Sequence, residues 1–116
     1  MDIADLVRAL LRYDARTARQ WVADAISSGL EWSELPTPTG LDSRELAVAA
    51  AVVELLAERA CVPAPAWTPS VPPAEEPVWL VRVEHRPRLR QRLPDESPPP
   101  LRRRRVFAPE DFLRAA

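Results

Sequence analysis

The densest chemistry in this chain is the run Arg102-Arg103-Arg104-Arg105, preceded by Arg86, Arg88, Arg90 and Arg92. A guanidinium is a planar fork that holds a carboxylate or phosphate through two parallel hydrogen bonds, and it stays charged at physiological pH. All 16 basic residues of the 116 are Arg, so that option exists at every basic position. Two bland readings compete with a binding patch. Four adjacent like charges can simply be a solvated loop, and a genome rich in G and C favours Arg, Ala and Pro codons over Lys and Asn.

Catalytic chemistry has little to work with. His85 stands alone in Glu84-His85-Arg86, beside a cation that opposes its protonation, and Cys61 has no His or Lys near it in sequence. Cys61 reads as a small apolar filler at a helix end, and a single Cys builds no disulfide framework. The acidic pairs Glu75-Glu76, Asp95-Glu96 and Glu110-Asp111 fall in loops or at a helix start, without His or Cys to complete a ligand set. With two glycines, both read as helix stop or turn, no phosphate-cradling loop can be built. The expectation is a protein that is no enzyme, with no cofactor and no metal.

The net charge of −1 hides an asymmetry. Residues 1–76 hold 12 acidic side chains and 6 Arg, a balance of −6, while residues 77–116 hold 5 acidic and 10 Arg, a balance of +5. Such blocks meet different partners or attract each other. An acidic first half repels nucleic acid, and only Phe107 and Phe112 lie near the Arg run to stack on bases, so nucleic acid is the minority reading. The longest unbroken apolar run, Leu46 to Val53, is far short of the ~20 residues that span a bilayer. Asp2 and Asp5 stand where an export signal carries basic residues, and the expected location is the cytoplasm.

The elements that must position these groups begin with Asp2, an N-cap, and Ile3, Leu6, Val7, Leu10 and Leu11 at helical spacing, ending near Tyr13. Asp14 caps a second helix with Ala18, Trp21, Val22, Ala25 and Ile26 on one stripe, and Gly29 supplies the left-handed stop. Two helices or one bent helix both fit. Leu30 to Gly40 is a turn-rich connection. Asp42-Ser43-Arg44-Glu45 has the form of a capping signal, with Asp42 or Ser43 as cap and Glu45 reaching back, opening a third helix that runs to about Ala60. From Leu46 to Ala57 its only polar residue is Glu54, which predicts the most buried element.

Beyond it, Pro63, Pro65, Pro69, Pro72, Pro73 and Pro77 exclude helix interior and central strand alike and predict an extended, semi-rigid stretch. Val78 to Val83 reads as a strand, which must pair with Leu101 to Phe107, with a copy of itself, or with the edge of another protein. Pro87 opens a short helix through Leu93, and Pro109, Glu110 and Asp111 suit the first turn of a terminal helix. The predicted fold is mainly α: a three-helix unit over 1–60, a Pro-rich extended linker over 61–77, and over 78–116 an Arg-rich arm with one or two short strands and a terminal helix. Trp21 belongs to the helical stripe. Trp32, Trp67 and Trp79 stand in or beside irregular chain, where they pin the tail onto the helices or serve as partner anchors.

The run Leu55-Leu56-Ala57-Glu58-Arg59-Ala60, then Pro63 to Thr68, Glu76-Pro77-Val78-Trp79 and Ser97-Pro98 to Arg105-Val106-Phe107, resembles the carboxy-terminal half of small actinobacterial helical proteins. Those proteins are paired with predicted nucleotidyltransferase toxins and look like antitoxins. The resemblance covers roughly residues 46–116 and implies a partner class, with no catalytic residues to transfer. The expected function is a non-catalytic interaction module, an antitoxin-like inhibitor that neutralises a partner enzyme through its C-terminal arm. Trp67, Trp79, Arg102, Arg103, Arg104, Arg105 and Phe107 are its expected contact residues. The alternatives are a nucleic-acid-associated regulator that uses the Arg-rich segment, and a structural subunit that assembles with itself.

Overall fold

A computed structural model describes residues 2–114, and it is mainly helical. Helix α1 (Ile3–Leu11) starts where the Asp2 carboxylate accepts from the Ala4 N–H at 3.0 Å. Helix α2 (Ala15–Ser27) starts where Asp14 accepts from Thr17 at 3.1 Å, and it stops at Gly29, whose φ of 73° a side chain would oppose. Helix α3 (Ser43–Arg59) carries the capping box in full: Glu45 N–H donates to Asp42 at 2.8 Å, and Asp42 N–H donates back to Glu45 at 3.0 Å. Asp42→Ala is expected to cost about 1 kcal/mol, a fall of roughly 4 °C in thermal midpoint, read from melting curves of parent and variant.

The packing follows from α3. Every residue from Ala47 to Val53 is fully buried. Seven consecutive residues make almost two turns, so they point in every direction around the axis, and a helix buried all round needs cover on all sides. Helices α1 and α2 pack on each other, and α1 also lies on α3. The remaining cover comes from the C-terminal half: Ala74, Val78, Leu80, Leu101, Val106 and Ala108 are buried in the same core as α1 and α3.

The Pro-rich stretch therefore differs from an extended arm. Pro65 and Thr68 are buried, Thr68–Ser70 forms a 3-10 turn against α3, and the Trp67 indole N–H donates to the Leu35 carbonyl at 2.9 Å. Proline has no N–H to satisfy, so such a chain lies against an apolar helix without orphaning donors. Strand β1 is Val78–Trp79, shorter than the expected Val78 to Val83, and it pairs in parallel with β2 (Val106–Phe107). Val78 and Leu80 donate to the Arg105 and Phe107 carbonyls, so the next donor toward β1 would be residue 109, and the ladder stops because Pro109 has no N–H to offer. The Ala108 N–H, on the other side of the strand, goes to the Ser97 hydroxyl at 3.0 Å. Helix α4 (Pro87–Glu96) outruns the predicted end at Leu93, and Pro98-Pro99-Pro100 leads into the short α5 (Pro99–Arg102).

The expected terminal helix is replaced by turns. Phe112 N–H donates to the Pro109 carbonyl and Arg114 N–H to the Asp111 carbonyl, both at 3.0 Å, with Leu113 between them at φ 58°. The Arg59 guanidinium takes the carbonyls of Phe112 and Glu110, acceptors that a continuing helix would need, and Leu113 is buried in the main core.

Candidate interaction surface

The four-arginine run lies where α5 turns into β2, and the fold separates its members. Arg104 points inward and is 6% exposed. Its Nη1 donates to Glu54 Oε1, and its Nη2 donates to Oε2 at 3.3 Å and to the Thr68 carbonyl at 2.5 Å. One guanidinium thus ties α3, the Pro-rich stretch and the α5–β2 turn together. Arg103 lies 3.5 Å from the same Glu54 with its side chain 62% exposed, so Glu54 faces two cations. A lone carboxylate on an apolar helix needs a cation partner, and that signal was present in the sequence of α3.

Arg102 and Arg105 stay on the surface, each held by a backbone carbonyl. Arg102 donates to Asp95 at 3.0 Å and Arg105 to Glu75 at 2.5 Å. Arg105 takes φ 60°, which turns the chain out of α5 so that the Val78 N–H reaches the Arg105 carbonyl at 2.9 Å. The run is therefore one internal clamp between three surface cations.

The predicted aromatic contacts form a second, smaller cluster with Val83 and Leu93. Trp79 and Phe107 face each other across the ladder with ring centroids 5.1 Å apart, and the Arg90 guanidinium lies 5.4 Å from the Trp79 ring. Phe107 is buried and Trp79 half-buried. Trp67 sits apart from them, half-buried on the main core.

Helix α4 covers this cluster with Leu93 and Leu89 and exposes Arg88, Arg90 and Arg92, with Arg86 as its N-cap residue. Cations at the start of a helix and carboxylates at its end, here Asp95 and Glu96, oppose the helix dipole. Only Arg92 has an opposite charge within reach among the described residues, Glu96 at 3.6 Å. Local rules are broken most often where a surface serves something other than stability. Arg86, Arg88 and Arg90 of α4 and its cap, and Arg102, Arg103 and Arg105 on α5 and the turn after it, are thus exposed cations of the C-terminal half.

Among the described residues no three His, Cys, Asp or Glu side chains group as a metal site would require, and no helix is long and apolar enough to cross a membrane. No protein-family model, curated protein or solved structure matches this chain.

Proposed function

We propose that this protein is a non-catalytic interaction module, an antitoxin-like inhibitor that binds a partner enzyme in the cytoplasm through the cationic face of its C-terminal half. The observation that carries this reading is the concentration of exposed arginines on α4, α5 and the turn after it, with that turn tied to α3 through Arg104 and Glu54. A preorganised cationic face loses little side-chain freedom when it meets carboxylates, so it supplies encounter rate and orientation. A nucleotidyltransferase, the partner class implied by the resemblance, holds its metals with carboxylates, and guanidinium groups would pair with them and exclude the metals.

The test is purification of the tagged chain from its own host, followed by affinity measurements on the co-purifying protein. Replacing Arg88, Arg90 and Arg102 together by Gln is expected to weaken binding by about 10-fold at low salt, with the difference closing as salt screens the parent. The helical signal should not change, since none of the three is buried. Equal affinity of parent and variant would remove this face from the interface. Retention of nucleic acid that falls steeply with salt and vanishes in the variant would instead identify a nucleic-acid-associated regulator.

A further inference from the structure

We propose that a second face of the molecule, the groove between α2 and the C-terminal turn, docks an acidic amphipathic helix of a partner protein. The groove holds about 1120 Å³, and Leu10, Val22, Leu80 and Leu113 are among the apolar side chains that line it. It shares Val22, Ile26 and Leu113 with a neighbouring groove of about 830 Å³ that reaches Trp32 and the end of α3. Ile26 lies on both and is 57% exposed, the one large apolar side chain left exposed among the described residues. An isolated surface isoleucine is ordinary; one at the junction of two apolar grooves is an anchor point.

The rim selects the charge of the occupant. Arg16, Arg19, Arg82 and Arg114 line the first groove against Asp14 and Asp111. Asp14 is engaged as the cap of α2: the Thr17 side chain, then its N–H, holds the Asp14 carboxyl below the ordinary range. Among the described residues no carboxylate lies within ion-pair distance of Arg16, Arg19 or Arg82. On the second groove, Arg59 and Arg114 stand against Glu31. Three of the six arginines in the acidic half of the chain, Arg16, Arg19 and Arg59, thus gather on these two grooves.

Two of the five non-glycine residues with positive φ among the described residues line these grooves. Tyr13, just past α1, takes φ 59° where glycine would be least strained, and Leu113 opposite takes φ 58°. The tyrosine puts a ring under Arg82, whose guanidinium lies 4.7 Å from its centroid. From Arg16 to Ile26 the wall formed by α2 runs about 15 Å, the rise of roughly ten helical residues. A helix carries its own backbone hydrogen bonds onto an apolar floor, with an apolar stripe at i, i+3, i+4 and i+7 facing inward and carboxylates toward the rim. A second copy fits poorly: α1 and α3 already bury their apolar faces, and α4 is basic.

The inference is independent of the Arg86–Arg105 face, none of which lines either groove. The experiment uses the full isotope-labelled chain and a synthetic peptide of about 14 residues with Leu at i, i+3, i+4 and i+7 and Glu beside them. Saturable shifts confined to Tyr13, α2, residues 80–82 and residues 109–114 are expected. Weakening of about 10-fold is expected for Ile26→Ser and for Arg16→Glu combined with Arg19→Glu, neither of which touches the core. Tyr13→Gly is expected to weaken binding while the thermal midpoint holds or rises, the reverse of what a purely structural tyrosine would do. No shift in the groove at about 1 mM peptide, equal binding of a peptide with Gln for Glu, preference for phosphatidylglycerol vesicles, or a dimeric mass without peptide would each overturn the proposal.

Discussion

Glu54→Ala is expected to lower stability by about 3–5 kcal/mol, because it leaves the Arg104 charge buried with only the Thr68 carbonyl to receive it. For a chain of this size that is a fall of roughly 10–20 °C in thermal midpoint. The Arg104 Nε has no hydrogen-bond partner among the described residues, so the clamp has no spare donor contact to fall back on. The pair itself contributes much less than its disruption costs, since two charges had to leave water to form it. The combined replacement Glu54→Leu with Arg104→Met should accordingly recover most of the loss. Urea melts of both variants are the measurement, and a loss below about 1 kcal/mol for Glu54→Ala would mean that Arg104 swings out to solvent.

Leu101→Ala is expected to cost about 2–5 kcal/mol, although Leu101 belongs to a helix of four residues. The side chain is fully buried in the main core, on the element that packs most extensively on α3, and its removal leaves a cavity that α5, fixed by prolines, closes poorly. The variant should still unfold in one step. Circular dichroism, which reports mainly α1–α3, and tryptophan fluorescence, to which Trp67 and Trp79 contribute, should give the same midpoint. Fluorescence lost at lower denaturant than helicity would show that the C-terminal half opens separately and covers α3 only loosely.

Local signals in the sequence were sufficient where the physics is local. Asp2 and Asp14 cap the helices they were expected to cap, and of the two candidates Asp42 and Ser43 it is Asp42 that caps α3, because a cap needs only its own N–H neighbours two or three residues on. Pro87 starts α4 for the same kind of reason. The strand at Val78 was legible as a strand, but its two-residue length was not, because the ladder ends at Pro109, about thirty residues away on the partner strand, where no N–H is offered. The terminal helix failed in the same way: its carbonyls are captured by Arg59, more than fifty residues upstream. Arg102 to Arg105 looked like one patch because adjacent charges look alike in a row of letters.

By itself the sequence determined the helical character, the helix starts and the all-round apolar surface of α3; that the C-terminal half supplies part of its cover was decided by the tertiary structure. The sequence also placed one carboxylate, Glu54, inside the apolar stretch Leu46 to Ala57 of that helix and so required a cation somewhere. Only the tertiary structure decided which of sixteen arginines answers, and it is Arg104, fifty residues away. The grooves around Ile26 are likewise a product of the tertiary structure, since Arg16, Arg59, Arg82 and Arg114 share no periodicity or motif. The reason is the range of the forces involved. Caps and apolar stripes act between residues a turn apart, whereas charge pairing and groove formation depend on the path by which distant segments close around a shared core.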